Sequence, residues 1–201
     1  MNATILRNEN KQYFYLATIL LTPLSFLFDG VVSELMLKTH NSLFDIIFSF
    51  FSNISIIVGF ILVVTISMLA IKKDHKWSIA ILTSLILTLL VVYYFKFLVM
   101  RPRPNGIELV IFFNLIDYSF PSLHTAIIFA MIPILDNTFS HHKRLWIFIG
   151  VMVGLSRLYL GVHYFSDVIY GVLIGLVIGE GILLLEKRYG WFKYLEKYIW
   201  K

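Results

Sequence analysis

Seven residues between positions 96 and 167 have the types and spacing for one kind of reaction. His163 and Asp167 stand four apart, so on a helix their side chains share a face. A carboxylate that accepts a hydrogen bond from one imidazole nitrogen leaves the other nitrogen to act as nucleophile or base. Arg103 and Arg157 offer forked donors that suit a phosphate, and Lys96 adds a point charge. Ser122 follows Pro121 where a helix should begin, and its hydroxyl and the N–H groups of the helix start favour the same anion. His124 is then placed to protonate a departing oxygen. This division of labour suggests phosphoryl transfer through a histidine intermediate, with the developing charge held by fixed cations. Two histidines with Asp167 could instead bind zinc, but a pocket already holding three cations opposes a divalent ion. No metal and no other cofactor is expected.

Each residue alone has a plainer explanation: a snorkelling Lys96 or Arg157, an ordinary loop charge at Arg103, a helix-capping Ser122, an interfacial His124 or His163. The elements that carry them decide between the two. Of the 201 residues, 59% are hydrophobic and 14% charged, whereas soluble chains carry about a quarter charged residues. Apolar stretches near the ~20 residues needed to cross a bilayer fall at about 13–29, 43–71, 77–99, 123–139, 145–162 and 165–185. The expected fold is all-α: a single integral membrane domain, 1–201, of six transmembrane helices. The first stretch is long and lacks a small-x-small cleavage site, so a retained helix is expected rather than a signal peptide. The absence of cysteine excludes disulfides, thiolate zinc sites and cysteine nucleophiles.

The net charge of +5 is less informative than its placement. With both termini cytoplasmic, inner segments hold twelve of the 17 Lys and Arg residues, and the opposite side keeps Lys38, Lys96, Arg101, Arg103 and Arg157. The basic C-terminal tail, with Trp191 and Trp200, reads as a membrane-surface segment, and no nucleic-acid partner is expected. This topology gathers Lys96, Arg103, Ser122, His124, Arg157, His163 and Asp167 at the extracytoplasmic ends of four helices. Ionisable groups inside spans are costly and by default functional. Asp29, Glu108 and Asp117 share that side, but no spacing ties them to the cluster, and Asp45 reads as a tolerated interfacial carboxylate. Glu180 lies ~20 Å deeper than Asp167.

Three further features read as structural. Val31 to Lys38 suggests a short interfacial helix between spans one and two. Gly171, Gly175 and Gly179 line one helical face and let a neighbour approach closely. Pro23 and Pro133 interrupt spans one and four, but their surroundings do not match, which weighs against a transporter built from inverted repeats.

Three motifs in order carry a family resemblance. K-x6-R-P appears as Lys96-FLVMRP-Arg103-Pro104, P-S-G-H as Pro121-Ser122-Leu123-His124, and S-R-x5-H-x3-D as Ser156-Arg157-LYLGV-His163-YFS-Asp167. Over residues 96–167 the chain resembles the type 2 phosphatidic acid phosphatase (PAP2) family, whose active site is similar to that of the vanadium haloperoxidases and certain bacterial acid phosphatases. The resemblance implies His163 as nucleophile, Asp167 as its orienting partner and His124 as general acid, with Lys96, Arg103, Ser122 and Arg157 on the phosphate. It also implies a membrane lipid substrate: phosphatidic acid, phosphatidylglycerophosphate or a polyprenyl diphosphate, reached from the plasma membrane. Leu123 replaces the motif glycine, and P-S-L-H is similar to forms found in lipid phosphotransferases, so a lipid or alcohol acceptor stands as the alternative to water. A transporter or lipid-binding protein that holds the anion without chemistry is the alternative of another class.

Overall fold

The computed structural model describes residues 16, 19–70, 75–104, 110–111, 115–116 and 118–199. The apolar stretches fold as helices because in lipid every backbone N–H and C=O must be satisfied within the segment. The helices are α1 (Ile19–Lys38), α2 (Ser42–Ser52), α3 (Ile54–Ala70), α4 (His75–Val99), α5 (Leu123–Thr138), α6 (Lys143–Tyr159), α7 (Phe165–Tyr189) and α8 (Trp191–Ile199). Between α4 and α5, β1 (Val110–Ile111) and β2 (Leu115–Ile116) form a two-residue antiparallel ladder, Val110 opposite Ile116 and Ile111 opposite Leu115. Among the described residues, α1, α4 and α7 are each long and apolar enough to cross a bilayer, and α2 with α3 makes a fourth candidate, bent by 50°.

Two expectations change at the start of the chain. The break expected near Asp29 is absent: the chain tightens to a 3-10 turn at Ser25–Phe28, just after Pro23, and continues as α-helix through Asp29–Lys38. Val31 to Lys38 is therefore the continuation of α1 and no separate interfacial helix. The expected first span also took in 13–18, of which only residue 16 is described. The second stretch is broken, because Asn53 leaves the helical region at ψ 119° and its side chain turns to accept from the Ser55 N–H at 2.9 Å.

α5 is the hub. Its side chains from Thr125 to Asp136 are all buried, and α4, α6 and α7 pack around it. Pro133 does not interrupt it. The closest packing is against α7: a Cβ added at Gly171, Gly175 or Gly179 would lie 2.7, 2.4 or 2.3 Å from the carbonyl oxygens of Ser122, Ala126 and Ala130. Only hydrogen in place of a side chain allows this backbone contact, so the glycine face serves packing within the chain. The N-termini of α5 and α7 thereby meet at one end of the bundle, beside the C-termini of α4 and α6. At the opposite end α7 stops at Gly190, whose φ of 61° suits glycine, and α8 folds back against α4 and α7.

Candidate active site

The start of α5 is tied to the start of α7 by the chain itself: the Ser122 N–H donates to the Asp167 carbonyl at 3.0 Å. Ser122 is the N-cap residue, yet its hydroxyl pairs with the Thr125 hydroxyl at 3.0 Å and makes no cap bond. The N-terminal end of α5, with its positive dipole end, therefore points into the same region as the Ser122 side chain. Leu123 turns its half-buried side chain toward the core formed by α3, α4, α5, α7 and α8. The glycine missing from the second motif is thus replaced by a side chain that packs against the hydrophobic core.

His163 lies before α7, two residues ahead of its first residue, so the contact with Asp167 does not come from a shared helical face as expected. Asp167 sits in the first turn and reaches back: its Oδ2 accepts from the Tyr164 N–H at 2.9 Å and lies 3.4 Å from His163 Nδ1. A carboxylate at this position satisfies an N–H of the helix start. The same geometry holds it against the imidazole. Both side chains are buried.

The three cations arrive from separate elements and are buried as well. Lys96, in the last turn of α4, donates to the Tyr118 carbonyl. Arg103 donates to the Val162 carbonyl at 2.7 Å, which ties the first motif to the turn before His163. Arg157, in the last turn of α6, donates to Ser52. Lys96, Arg103, Arg157 and His163 all lie within electrostatic reach of His124. Residues from four helix ends and one loop therefore gather around His124, and three of them are cations. Ser156, the remaining polar member of the third motif, donates back to the Val153 carbonyl within α6 at 2.7 Å.

Sequence spacing missed a second polar layer behind Asp167. Arg101 donates from Nη1 to Asp167 Oδ1 at 2.8 Å and to Ser166 Oγ at 2.7 Å, and from Nη2 to Asp29 Oδ2 at 2.7 Å. Asp29 also accepts from the Ser166 N–H at 2.8 Å and from the Ser166 hydroxyl at 2.7 Å. Asp29 thus belongs to the cluster. The available signal was a costly carboxylate in an apolar stretch together with the doubled R-P of Arg101-Pro102-Arg103-Pro104. Asp45 accepts from the Tyr159 hydroxyl at 2.5 Å and joins α2 to α6, while Glu108 and Asp117 lie outside the described residues.

The protein-family model for the PAP2 superfamily matches residues 77–191. The chain is 42% identical over 65 residues to the bacitracin transport permease protein BcrC of Bacillus licheniformis, covering 31% of this chain and 30% of that one. It is 28% identical over 151 residues to undecaprenyl-diphosphatase BcrC of Bacillus subtilis, covering 71% and 75%. It is 35% identical over 89 residues to phosphatidylglycerophosphatase B of the same organism, covering 39% and 42%. The first and third matches thus span less than half of those relatives. Among solved structures, the PAP2-type phosphatidylglycerolphosphate phosphatase of Bacillus subtilis superposes with a TM-score of 0.70 at 22% identity, covering 88% of this chain and 98% of that one. Aquifex aeolicus LpxE superposes with a TM-score of 0.58 at 25% identity, covering 78% and 94%.

Proposed function

The chain belongs to the PAP2 superfamily, and from that premise we propose that it is a membrane lipid phosphatase working through a phosphohistidine. His163 attacks phosphorus through Nε2 while Nδ1 faces Asp167, and the bond to the leaving oxygen breaks as His124 gives that oxygen its proton. Lys96, Arg103, Ser122, Arg157 and the N-terminus of α5 hold the three equatorial oxygens. Water, giving its proton to His124, then attacks the phosphohistidine, releases inorganic phosphate and restores the starting state. The observation that carries this reading is the cluster of three buried cations around His124, beside the His163–Asp167 pair, where α4, α5, α6 and α7 meet. Fixed cations supply the charge stabilisation, so the reaction is proposed to need no metal.

The substrate class proposed is a lipid diphosphate of the polyprenyl type, ahead of phosphatidylglycerophosphate and phosphatidic acid. A relative matched over 71% of this chain is an undecaprenyl-diphosphatase, and the apolar exterior gives a lipid tail access from the side. Six spans, cytoplasmic termini and a site at the outer face of the plasma membrane complete the proposal, supported by the excess of Lys and Arg on the inner segments.

The test is free-phosphate release by the purified full chain in detergent from a polyprenyl diphosphate, phosphatidylglycerophosphate and phosphatidic acid, with and without chelator. Turnover that resists chelator and falls at least about a thousandfold in His163→Ala is expected. A His163→Ala variant as active as wild type sinks the phosphohistidine, and loss of activity in chelator sinks metal independence. Counterflow of intact lipid with no phosphate release would favour the transporter.

A further inference from the structure

We propose that Arg101 and Asp29 form a positioning relay that sets the Asp167 carboxylate on His163, which makes α1 part of the catalytic apparatus. The inference rests on the functional reading above and adds residues to it. Asp167 divides its two oxygens: Oδ2 takes the Tyr164 N–H and faces His163 Nδ1, while Oδ1 takes Arg101. Rotation about the last side-chain bond of an aspartate is soft, so the partner of the rear oxygen fixes the direction of the front one.

Arg101 is itself held on several sides. One fork nitrogen bridges Asp167 and Ser166 and the other reaches Asp29. The guanidinium carbon lies 3.9 Å from the centre of the Tyr164 ring and 5.3 Å from that of Phe26. Asp29 is locked in turn by the main-chain N–H and hydroxyl of Ser166, the residue before Asp167. The relay therefore runs α1 to Arg101 to α7 and closes on itself.

Charge explains why two carboxylates are needed. A guanidinium paired with Asp167 alone would neutralise the charge that must face the imidazole as it becomes cationic. With Asp29 balancing Arg101, Asp167 keeps a net negative charge toward His163. Removing Asp29 leaves Arg101 to neutralise Asp167, and removing Arg101 leaves two carboxylates without their counterion.

The experiment compares kcat, KM and thermal unfolding of the purified full chain for Asp29→Asn, Arg101→Lys, Asp167→Asn and the Arg101→Lys/Asp167→Asn pair, with a polyprenyl diphosphate in detergent. Expected are kcat losses of roughly 10- to 100-fold for Asp29→Asn and Arg101→Lys, as for other outer-shell partners of a functional histidine, with KM changed little. Once Asp167 is Asn, adding Arg101→Lys should lower kcat by no more than about twofold, because the relay no longer has a carboxylate to aim. Multiplicative losses in the pair, or a lower unfolding temperature with kcat intact, would assign the network to stability alone and overturn the relay. His163→Ala runs alongside. If it is inactive while Arg101→Lys turns over like wild type, the relay alone fails; if it retains full activity, the phosphohistidine reading fails and the relay with it.

Discussion

Arg157, in the last turn of α6, donates to both the carbonyl and the hydroxyl of Ser52, at the break between α2 and α3. Two costs offset each other here. A broken helix leaves carbonyls without helical partners, which is expensive in lipid, and a buried guanidinium needs acceptors. The bend is thus coupled to a residue proposed to hold the phosphate.

Ser52→Ala should loosen Arg157 while leaving the main-chain carbonyl in place. A hydrogen bond to a charged group contributes about 1.5 kcal/mol or more, so steady-state kinetics should show KM raised by roughly tenfold with a smaller change in kcat. An unchanged KM would make the Ser52 hydroxyl incidental to phosphate binding.

The glycine face gives a second prediction. A Cβ at Gly175 would sit 2.4 Å from the Ala126 carbonyl and 2.8 Å from the Ala130 nitrogen, both backbone atoms that cannot turn aside. Gly175→Leu must therefore push α5 from α7, which separates His124 from His163. Phosphate release should be almost abolished and the unfolding temperature in detergent lowered by many degrees. Gly181 has nothing within 4 Å of its added Cβ, so Gly181→Ala should keep full activity and gain up to about 1 kcal/mol in helix propensity.

The sequence displayed local signals well and distant pairings poorly. α4, α5 and α7 begin within two residues of the apolar stretches that announced them, because caps and composition shifts are local. The position of α1 was not legible. A carboxylate followed by glycine, Asp29-Gly30, reads as a helix end, and it continues as helix because Asp29 finds Arg101 and Ser166, 72 and 137 residues away. Proximity of His163 and Asp167 followed from spacing, but its cause is a helix-start carboxylate reaching back rather than a shared helical face. Arg101 hid beside Arg103, since a doubled R-P does not reveal which arginine donates to Asp167 and which to the Val162 carbonyl.

At the far end of α7, Glu186 Oε2 accepts from the N–H groups of Phe192 at 2.7 Å and Lys193 at 3.3 Å, the first turn of α8. Glu186→Ala removes this cap at a cost of about 1 kcal/mol. Hydrogen exchange across 191–199 should accelerate. Nineteen residues separate Glu186 from Asp167, ~28 Å along the helix, so phosphate release should stay at the wild-type rate. A matching loss of activity would mean that the two ends of α7 are coupled.

Leu123 stands where the second motif has glycine, and its expected effect is on stability and not on the choice between water and a lipid as acceptor. Its side chain packs against the core, so replacing it should change stability more than chemistry. Leu123→Gly is expected to lower stability by about 1–3 kcal/mol, since a half-buried side chain is lost and glycine is a poor helix former. With radiolabelled diphosphate lipid and an added alcohol or lipid acceptor, wild type and Leu123→Gly should both deliver the label to water in the same proportion. A wild type that passes the label mainly to the acceptor, and a Leu123→Gly variant that diverts it to water, would show instead that this side chain keeps water out. The enzyme would then be a phosphotransferase.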